Sequence, residues 1–334
     1  MQVVVTDYIE PDLDWEARRL AGQGIELTCH QLKFAPFEDV VAATRHADAV
    51  VVNMVPVTRA LVKTWTRCKL VVRHGVGYDN VDLAALDDAG IPLCYIPDYC
   101  TEEVAEQAIA LILACGRRII TGRRVLDASS RNGQWDFKET IPVFRMAGQK
   151  VGIIGCGRIG SRVYQKLKSF GFEFLICDPY LSEERKRELG IEVVDKETAF
   201  RESDFVTIHT PLTPETRYIV NRETLALMKA TAYLVNTARG GMVDSVALAE
   251  ALRNSVIAGA GIDVYETEPP PPDYPLFGLP NAILTPHLAW YSEDSGWRIR
   301  EIIVLEIERF VAGLPPRYVA NAMQPVRTGV EVLR

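Results

Sequence analysis

Short apolar runs alternate with helix-forming stretches twice along this chain, and nothing in the sequence constrains the fold more. In the first series Val3–Thr6, Glu26–Cys29, Ala49–Val52, Leu70–Val72 and Pro92–Cys94 read as strands. Each is short, rich in β-branched residues and closed by a charge, Gly or Pro. Helix candidates lie between them near Leu13–Ala21, Phe37–Ala43, Arg59–Thr64 and Leu83–Asp88. A second series opens at Lys150. Its strands are Val151–Ile154, Glu173–Cys177, Phe205–His209, Ala232–Asn236, Ala258–Asp263 and Ala282–Leu284. Its helices fall near Ile159–Phe170, Ser182–Leu189, Asn221–Met228, Ser245–Leu252 and Ser292–Val311. Such alternation predicts βα units around parallel sheets, an α/β architecture. With 334 residues, a prior of roughly 100–200 residues per domain gives two domains.

Between the two series, Thr101-Glu-Glu-Val104 has the form of a helix start, with Thr101 as cap and acids in the first turn. The helix is expected to run to about Thr121, and the stretch from Arg123 to Gly148 to be irregular with another helix start in it. Glu268 to Pro275 holds five prolines in eight residues. That segment must be a loop, because proline neither donates to a sheet ladder nor sits inside a helix.

Composition excludes several classes. The hydrophobic share of 48% is ample for packed cores. The net charge of -7 disfavours a bulk electrostatic grip on nucleic acid or an anionic membrane. The apolar stretch Val104 to Ala114 is too short to span a bilayer. The N-terminus lacks the basic start of a signal peptide. Seven irregularly spaced Cys, most in apolar runs, read as reduced thiols of a cytoplasmic protein.

The sharpest local signal is Val151-Gly-Ile-Ile-Gly155-Cys-Gly157-Arg158-Ile159-Gly160. A bare GxGxxG recurs by chance; this one follows a strand, opens a helix and has an acid placed correctly downstream. Gly155 permits the tight turn, Gly157 a close backbone approach to a pyrophosphate, and Gly160 close helix–strand packing. The helix N-terminus offers free N–H groups to phosphates. Asp178 ends the next strand, where its carboxylate suits ribose hydroxyls and repels a 2'-phosphate. NAD is therefore the expected cofactor, in preference to NADP.

Hydride transfer to a carbonyl needs a proton donor for the oxygen and a cation for an anionic substrate. His287, just past a strand, changes charge near neutral pH. The Arg239 guanidinium matches a carboxylate with two parallel hydrogen bonds. Glu268, paired with His287, would orient the ring and favour its charged form. Arg and His would then supply the charge that a Lewis acid supplies elsewhere, so no metal is expected. Singly, each residue has an ordinary structural reading: a His after Pro often only hydrogen-bonds, and a Glu before prolines often faces solvent. Position raises them, since all three follow strands of a nucleotide-binding sheet, where open α/β folds place ligands. In the first series, Gly75-Val76-Gly77-Tyr-Asp-Asn follows a strand. Its N–H groups suit a carboxylate nest, and a plain structural turn fits equally well. Arg73 and His74 add positive charge beside it.

Together these segments resemble the D-isomer-specific 2-hydroxyacid dehydrogenases, which include phosphoglycerate, glycerate and phosphonate dehydrogenases. The resemblance covers roughly Val50 to Asn321. It rests on Gly75–Asp82, Glu103–Glu106, Gly155–Gly160, His209–Pro214, Asn236–Gly240, Gly261–Pro269 and Thr285–His287. It implies an oxidoreductase with two Rossmann-like domains, the cofactor domain inserted into a flavodoxin-like substrate domain. Residues 1–100 would begin the substrate domain, 101–291 form the NAD domain, and 292–334 supply a crossing helix and a return. The active site would lie in the cleft between the domains.

The resemblance assigns Arg239 to substrate carboxylate and carbonyl, His287 to proton transfer and Glu268 to polarising it. It assigns Asp263 to the nicotinamide carboxamide. Thr101, Arg158, Ile159, His209, Thr210, Pro211, Thr237 and Ala238 fall in cofactor-binding segments. Val76 and Gly77 match backbone donors to the substrate carboxylate. Asn53 should read the substrate side chain, and Arg73 matches a position near a distal phosphate. His74 stands where a small residue is common, and either touches substrate or narrows the pocket. Partners implied are a 2-oxo or 2-hydroxy acid and a second copy, with Arg123–Arg145 as the dimer arm. Two alternatives share the frame: oxidation of a small anion such as formate or phosphite, and an NAD(H)-sensing, corepressor-like interaction protein.

Overall fold

The computed structural model describes residues 1–321. It divides into two compact units, Met1–Tyr99 with the described residues from Ser292 onward, and Cys100–Tyr291.

The first unit is built from β1 (Gln2–Val5), α1 (Asp14–Ala21), β2 (Glu26–Cys29), α2 (Phe37–Thr44), β3 (Ala49–Val52), α3 (Arg59–Val62), β4 (Leu70–Arg73), α4 (Leu83–Ala89) and β5 (Leu93–Cys94). The strands form one parallel sheet in the order β2-β1-β3-β4-β5, the flavodoxin-like arrangement. Parallel strands covered on both faces need apolar side chains at successive positions. Ala49, Val50, Val51 and Val52 are accordingly all buried. Asp82 caps α4 through Ala85 N, and Gly90 closes it in the left-handed conformation.

The second unit opens with α5 (Thr101–Gly116) and α6 (Ile119–Arg131). There follow β6 (Lys150–Ile154), α7 (Arg158–Leu167), β7 (Glu173–Cys177), α8 (Glu183–Leu189), α9 (Lys196–Glu202), β8 (Phe205–Ile208), α10 (Arg222–Leu227), β9 (Tyr233–Asn236), α11 (Ser245–Arg253), β10 (Gly259–Ile262) and β11 (Ala282–Leu284). Its parallel sheet runs β11-β10-β9-β8-β6-β7. A single parallel bridge, Ile176 to Val193, extends the β7 edge. Counting that bridge as a strand gives the 3-2-1-4-5-6 order of a dinucleotide fold with one further strand. One face of the sheet packs Phe200, Leu225, Leu234 and Leu248; the other packs Ile112, Ile153, Val163 and Phe205. The chain then returns to the first unit through α12 (Glu293–Val311), started by a Ser292–Ser295 capping box. Past α12, Val319 bridges Cys94 antiparallel, and Asn321 accepts from Leu93 N at 2.8 Å. The rest of the expected return, 322–334, lies outside the described residues.

Three local expectations are corrected. The helix from Thr101 does not run through to Thr121: Arg118 adopts a left-handed φ of +50°, and its Nε donates to Tyr233 Oη at 3.2 Å. The further helix expected past Arg123 begins earlier, as α6 at Ile119, and continues to Arg131. Thr101 is not a cap; Cys100 holds that position, its side chain making no capping hydrogen bond, and Thr101 is the first helical residue. One helix, α9, was not expected. Its signal was present: Asp195 caps Thr198 N at 2.8 Å while Ala199 and Phe200 are buried. All seven Cys are free thiols, six of them buried and Cys29 exposed.

Candidate functional site

Every candidate residue of the second unit's loops lies at a carboxyl end of its parallel sheet. The glycine turn follows β6, Asp178 follows β7, and His209–Pro211 follow β8. Thr237–Arg239 follow β9, Asp263 to Glu268 follow β10, and Thr285–Ala289 follow β11. Parallel strands bring these six loops together although they span well over a hundred residues of chain.

The three glycines of the turn do different jobs. Gly155 has φ +90°, and a Cβ there would lie 2.6 Å from Thr210 Cγ2. A Cβ on Gly160 would lie 2.0 Å from Gly155 O, so α7 can pack this close only without one. At Gly157 an added Cβ meets no atom within 4 Å: the space in front of the turn is open. Gly157 is also the N-cap of α7 and provides no side-chain cap, which leaves first-turn N–H groups for an anion. Asp178 stands beside the turn, with Oδ2 accepting from Cys156 N at 2.8 Å and Oδ1 from Tyr180 N at 3.0 Å.

Two shielded polar atoms sit at the adjoining strand ends. Ile208 and Asn236 are register partners in β8 and β9, so His209 and Thr237 follow side by side. His209 Nε2 pairs with Thr207 Oγ1 at 2.9 Å, while its Nδ1 and Thr237 Oγ1 have no partner among the described residues. Burial pushes the His209 ring down to about 3, so it is neutral. An open cradle, an uncapped helix N-terminus, a carboxylate at the β7 end and these two atoms fit a bound NAD.

Glu268 and His287 are hydrogen-bonded to each other. His287 Nδ1 lies 2.7 Å from Glu268 Oε2, and the side chains are 37% and 22% exposed. Burial pushes the Glu268 carboxyl up. The His287 hydrogen bond and charge, Tyr265 N–H and the Arg239 charge outweigh it, and the net shift is down. Glu268 Oε1 accepts from Tyr265 N at 3.0 Å, so both carboxylate oxygens are held. His287 itself has a left-handed φ of +51°, uncommon for a residue with a side chain. Asp263, fully buried, secures that conformation. Its carboxylate accepts from Leu288 N at 3.1 Å, Ala289 N at 2.9 Å and Thr285 Oγ1 at 2.5 Å, and its carbonyl accepts from His287 N at 2.7 Å.

The Arg239 loop is fixed against the same machinery. Asn236, wholly buried, donates to Arg239 O at 2.9 Å and accepts from Ala238 N at 3.0 Å. A Cβ on Gly240 would fall 1.9 Å from the Tyr265 carbonyl carbon. The Arg239 loop therefore lies directly on the backbone that leads to Glu268. Sequence reasoning missed the inner supports. Tyr265 Oη donates to Thr285 O at 2.8 Å, and Gln107 Nε2 to Thr285 Oγ1 at 3.2 Å. Thr285, the first residue of the Thr-Pro-His run, was a signal; Gln107, on α5, gave none.

In the first unit, Asp7 caps the loop after β3, accepting from Met54 N at 2.7 Å and Asn53 N at 3.3 Å. Arg73 donates to Asn53 Oδ1 at 3.3 Å and to His74 O. The His74 ring turns to Glu10, Nε2 to Oε1 at 2.9 Å, with both side chains 9% exposed. Gly75 has φ +146°. Beyond it the N–H groups of Val76 and Gly77 meet no acceptor among the described residues.

Comparison with known proteins agrees with this chemistry. Residues 109–289 match the family model described as "D-isomer specific 2-hydroxyacid dehydrogenase, NAD binding domain". A glyoxylate reductase of Korarchaeum cryptofilum is 37% identical over 293 residues, covering 86% of this chain and 87% of that protein. A D-3-phosphoglycerate dehydrogenase of Methanocaldococcus jannaschii is 38% identical over 85% of this chain, which spans only 53% of that longer enzyme. Among solved structures, D-lactate dehydrogenase from Aquifex aeolicus, complexed with NAD and lactic acid, aligns with a TM-score of 0.82 and 30% identity. That alignment covers 93% of this chain and 96% of that one.

Proposed function

The chain belongs to the D-isomer specific 2-hydroxyacid dehydrogenases, and from that membership we propose which of its residues carry the reaction. It is an NAD-dependent oxidoreductase that interconverts 2-oxo and 2-hydroxy acids. When bound, NAD(H) supplies or takes up the hydride at C2 of the acid. In the reductive direction, protonated His287 gives its Nε2 proton to the oxygen at C2 as that oxygen gains charge. Glu268 holds Nδ1–H and so orients the ring. Arg239 binds the carboxylate and stabilises the developing alkoxide. In the oxidative direction neutral His287 accepts the hydroxyl proton. The observation that carries this reading is the 2.7 Å bond between His287 Nδ1 and Glu268 Oε2, at the carboxyl end of the sheet that bears the glycine turn.

We assign the substrate carboxylate to the N–H groups of Val76 and Gly77, with Asn53 and Arg73 reading the rest of the molecule. Asp178, Thr101, Arg158, Ile159, Thr210, Pro211, Ala238 and Asp263 are assigned to NAD. The NAD reading has a clean variant: Gly157→Ala meets no neighbour, so it should keep the wild-type melting temperature and weaken NADH binding. Unchanged NADH affinity by fluorescence titration would remove the turn from the site.

Two coarser features complete the reading. No helix among the described residues is long and apolar enough to cross a membrane, and free thiols suit the reducing cytoplasm. Exposed Trp135, Phe137, Ile141 and Phe144 cluster just past α6, as a surface that a second copy covers in a homodimer. The deciding experiment is NADH oxidation with varied 2-oxo acids, phosphorylated ones included, together with NAD reduction by formate and phosphite. Turnover of a 2-oxo acid to the D-product is expected. Turnover confined to formate or phosphite, or none at all, rejects the assignment.

A further inference from the structure

We infer that Glu10 and His74 are a positioning pair, which holds the backbone loop at Gly75–Gly77 in the shape that receives the substrate carboxylate; this rests on the carboxylate assignment above. Neither residue was needed for the reaction, and both are largely shielded from solvent. The His74 and Glu10 side chains are each 9% exposed and face one another at 2.9 Å.

His74 is anchored at three points. Its N donates to Val52 O at 2.8 Å, its O accepts from Arg73, and its ring meets Glu10. The next residue, Gly75, has φ +146° and accepts from Ile96 N at 3.0 Å. The free N–H groups of Val76 and Gly77 therefore start from a residue with little freedom to turn. A loop of glycines without such an anchor samples many conformations, and holding it in one costs entropy at each binding event.

Glu10 is itself held. Its Oε2 accepts from Ile9 N at 3.0 Å. Burial pushes its carboxyl up, but the His74 hydrogen bond and charge and the backbone donors outweigh that and bring it down to about 2. Behind the pair stands a second buried one, Arg300 of α12 with Glu16 of α1, Nε to Oε1 at 2.5 Å. Arg300 also donates to Asp12 O at 3.1 Å, which pins the β1–α1 loop that carries Glu10. The same loop begins with Asp7, which grips the loop after β3. One segment thus fixes both of the first unit's substrate-side loops.

The test uses His74→Leu, Glu10→Ala, the double variant and His74→Gln, whose amide can again donate to Glu10. His74→Leu and Glu10→Ala should each raise KM for the 2-oxo acid roughly tenfold, with kcat and NADH affinity near wild type. The double variant should be no worse than either single one, because one interaction is lost in all three. His74→Gln should recover most of the KM. Amide exchange over residues 73–80 should quicken in His74→Leu and Glu10→Ala and slow again in His74→Gln. Additive KM effects, no recovery in His74→Gln, or unchanged exchange would overturn the pairing. Faster exchange with unaltered KM would instead show that this loop does not hold the carboxylate, and the assignment above would fail with it.

Discussion

Among the described residues two histidine–carboxylate pairs have nearly equal length, and the roles proposed for them are opposite. His287 and Glu268 meet at 2.7 Å with 37% and 22% of their side chains exposed. His74 and Glu10 meet at 2.9 Å with 9% and 9% exposed. In the role proposed above, Glu268 orients one nitrogen of its ring and leaves the other to face a reactant. Glu10 closes over a ring that sits in the packed interior of its unit. Backbone conformation follows the same division. His287 has a left-handed φ and needs Asp263 to keep it; His74 continues β4 and donates to Val52 O as a strand residue would. The chemistry of the two side-chain pairs is the same, so accessibility and the surrounding loops decide which pair moves protons and which holds shape.

The largest effect should come from His287→Ala, which lowers turnover by about 10²–10⁴, the usual scale of general acid–base catalysis. NADH affinity and melting temperature should stay near wild type, and near-normal turnover would end the distinction between the pairs. Next, Arg239→Lys should lower kcat/KM by roughly 10- to 100-fold, the loss expected when a charged two-bond contact is reduced to one. Steady-state kinetics on the best 2-oxo acid decide it; a ratio near one removes Arg239 from the substrate. Glu268→Gln comes third, with kcat lowered about tenfold as the ring loses its charged neighbour. Its melting temperature at neutral pH should barely move, because the pair is half-exposed.

Glu10→Gln makes the opposite prediction and the smallest change. The Glu10 carboxyl lies at about 2 in the fold against its ordinary 4.5. A depressed carboxyl contributes stability that is complete above the ordinary value and is lost as pH falls through the folded one. The wild-type melting temperature should therefore drop more steeply than that of Glu10→Gln between about pH 4.5 and about pH 2. Parallel curves would show that this pair does not stabilise the unit.

Much of the second unit was legible because its signals are local. A strand, three glycines and a helix in ten residues fix their own geometry, and Asp178 follows one strand later. His287 and Arg239 were found because strand ends can be read from apolar runs. The break at Arg118 has only a weak local signal, Gly116 followed by two arginines, and the hydrogen bond from Arg118 Nε goes to Tyr233 Oη, on a residue far along the chain. The inner supports were hidden for a different reason. Glu10 is 64 residues from His74, and Gln107 is 178 from Thr285. Polar residues at such separations carry no periodicity that links them.

From its sequence alone the chain commits to two parallel sheets, a dinucleotide turn and the residue types for moving a proton beside an anion. Those follow from side-chain period, glycine placement and the chemistry of His, Glu and Arg, which act within a few residues. Tertiary packing decided how each histidine is held. Glu10 shields one because α1 and α12 hold its loop in place, and Asp263 presents the other because it accepts from the N–H groups of His287, Leu288 and Ala289 past β11. Burial and partner choice depend on contacts distant in the chain, and such contacts exist only once the sheets have formed.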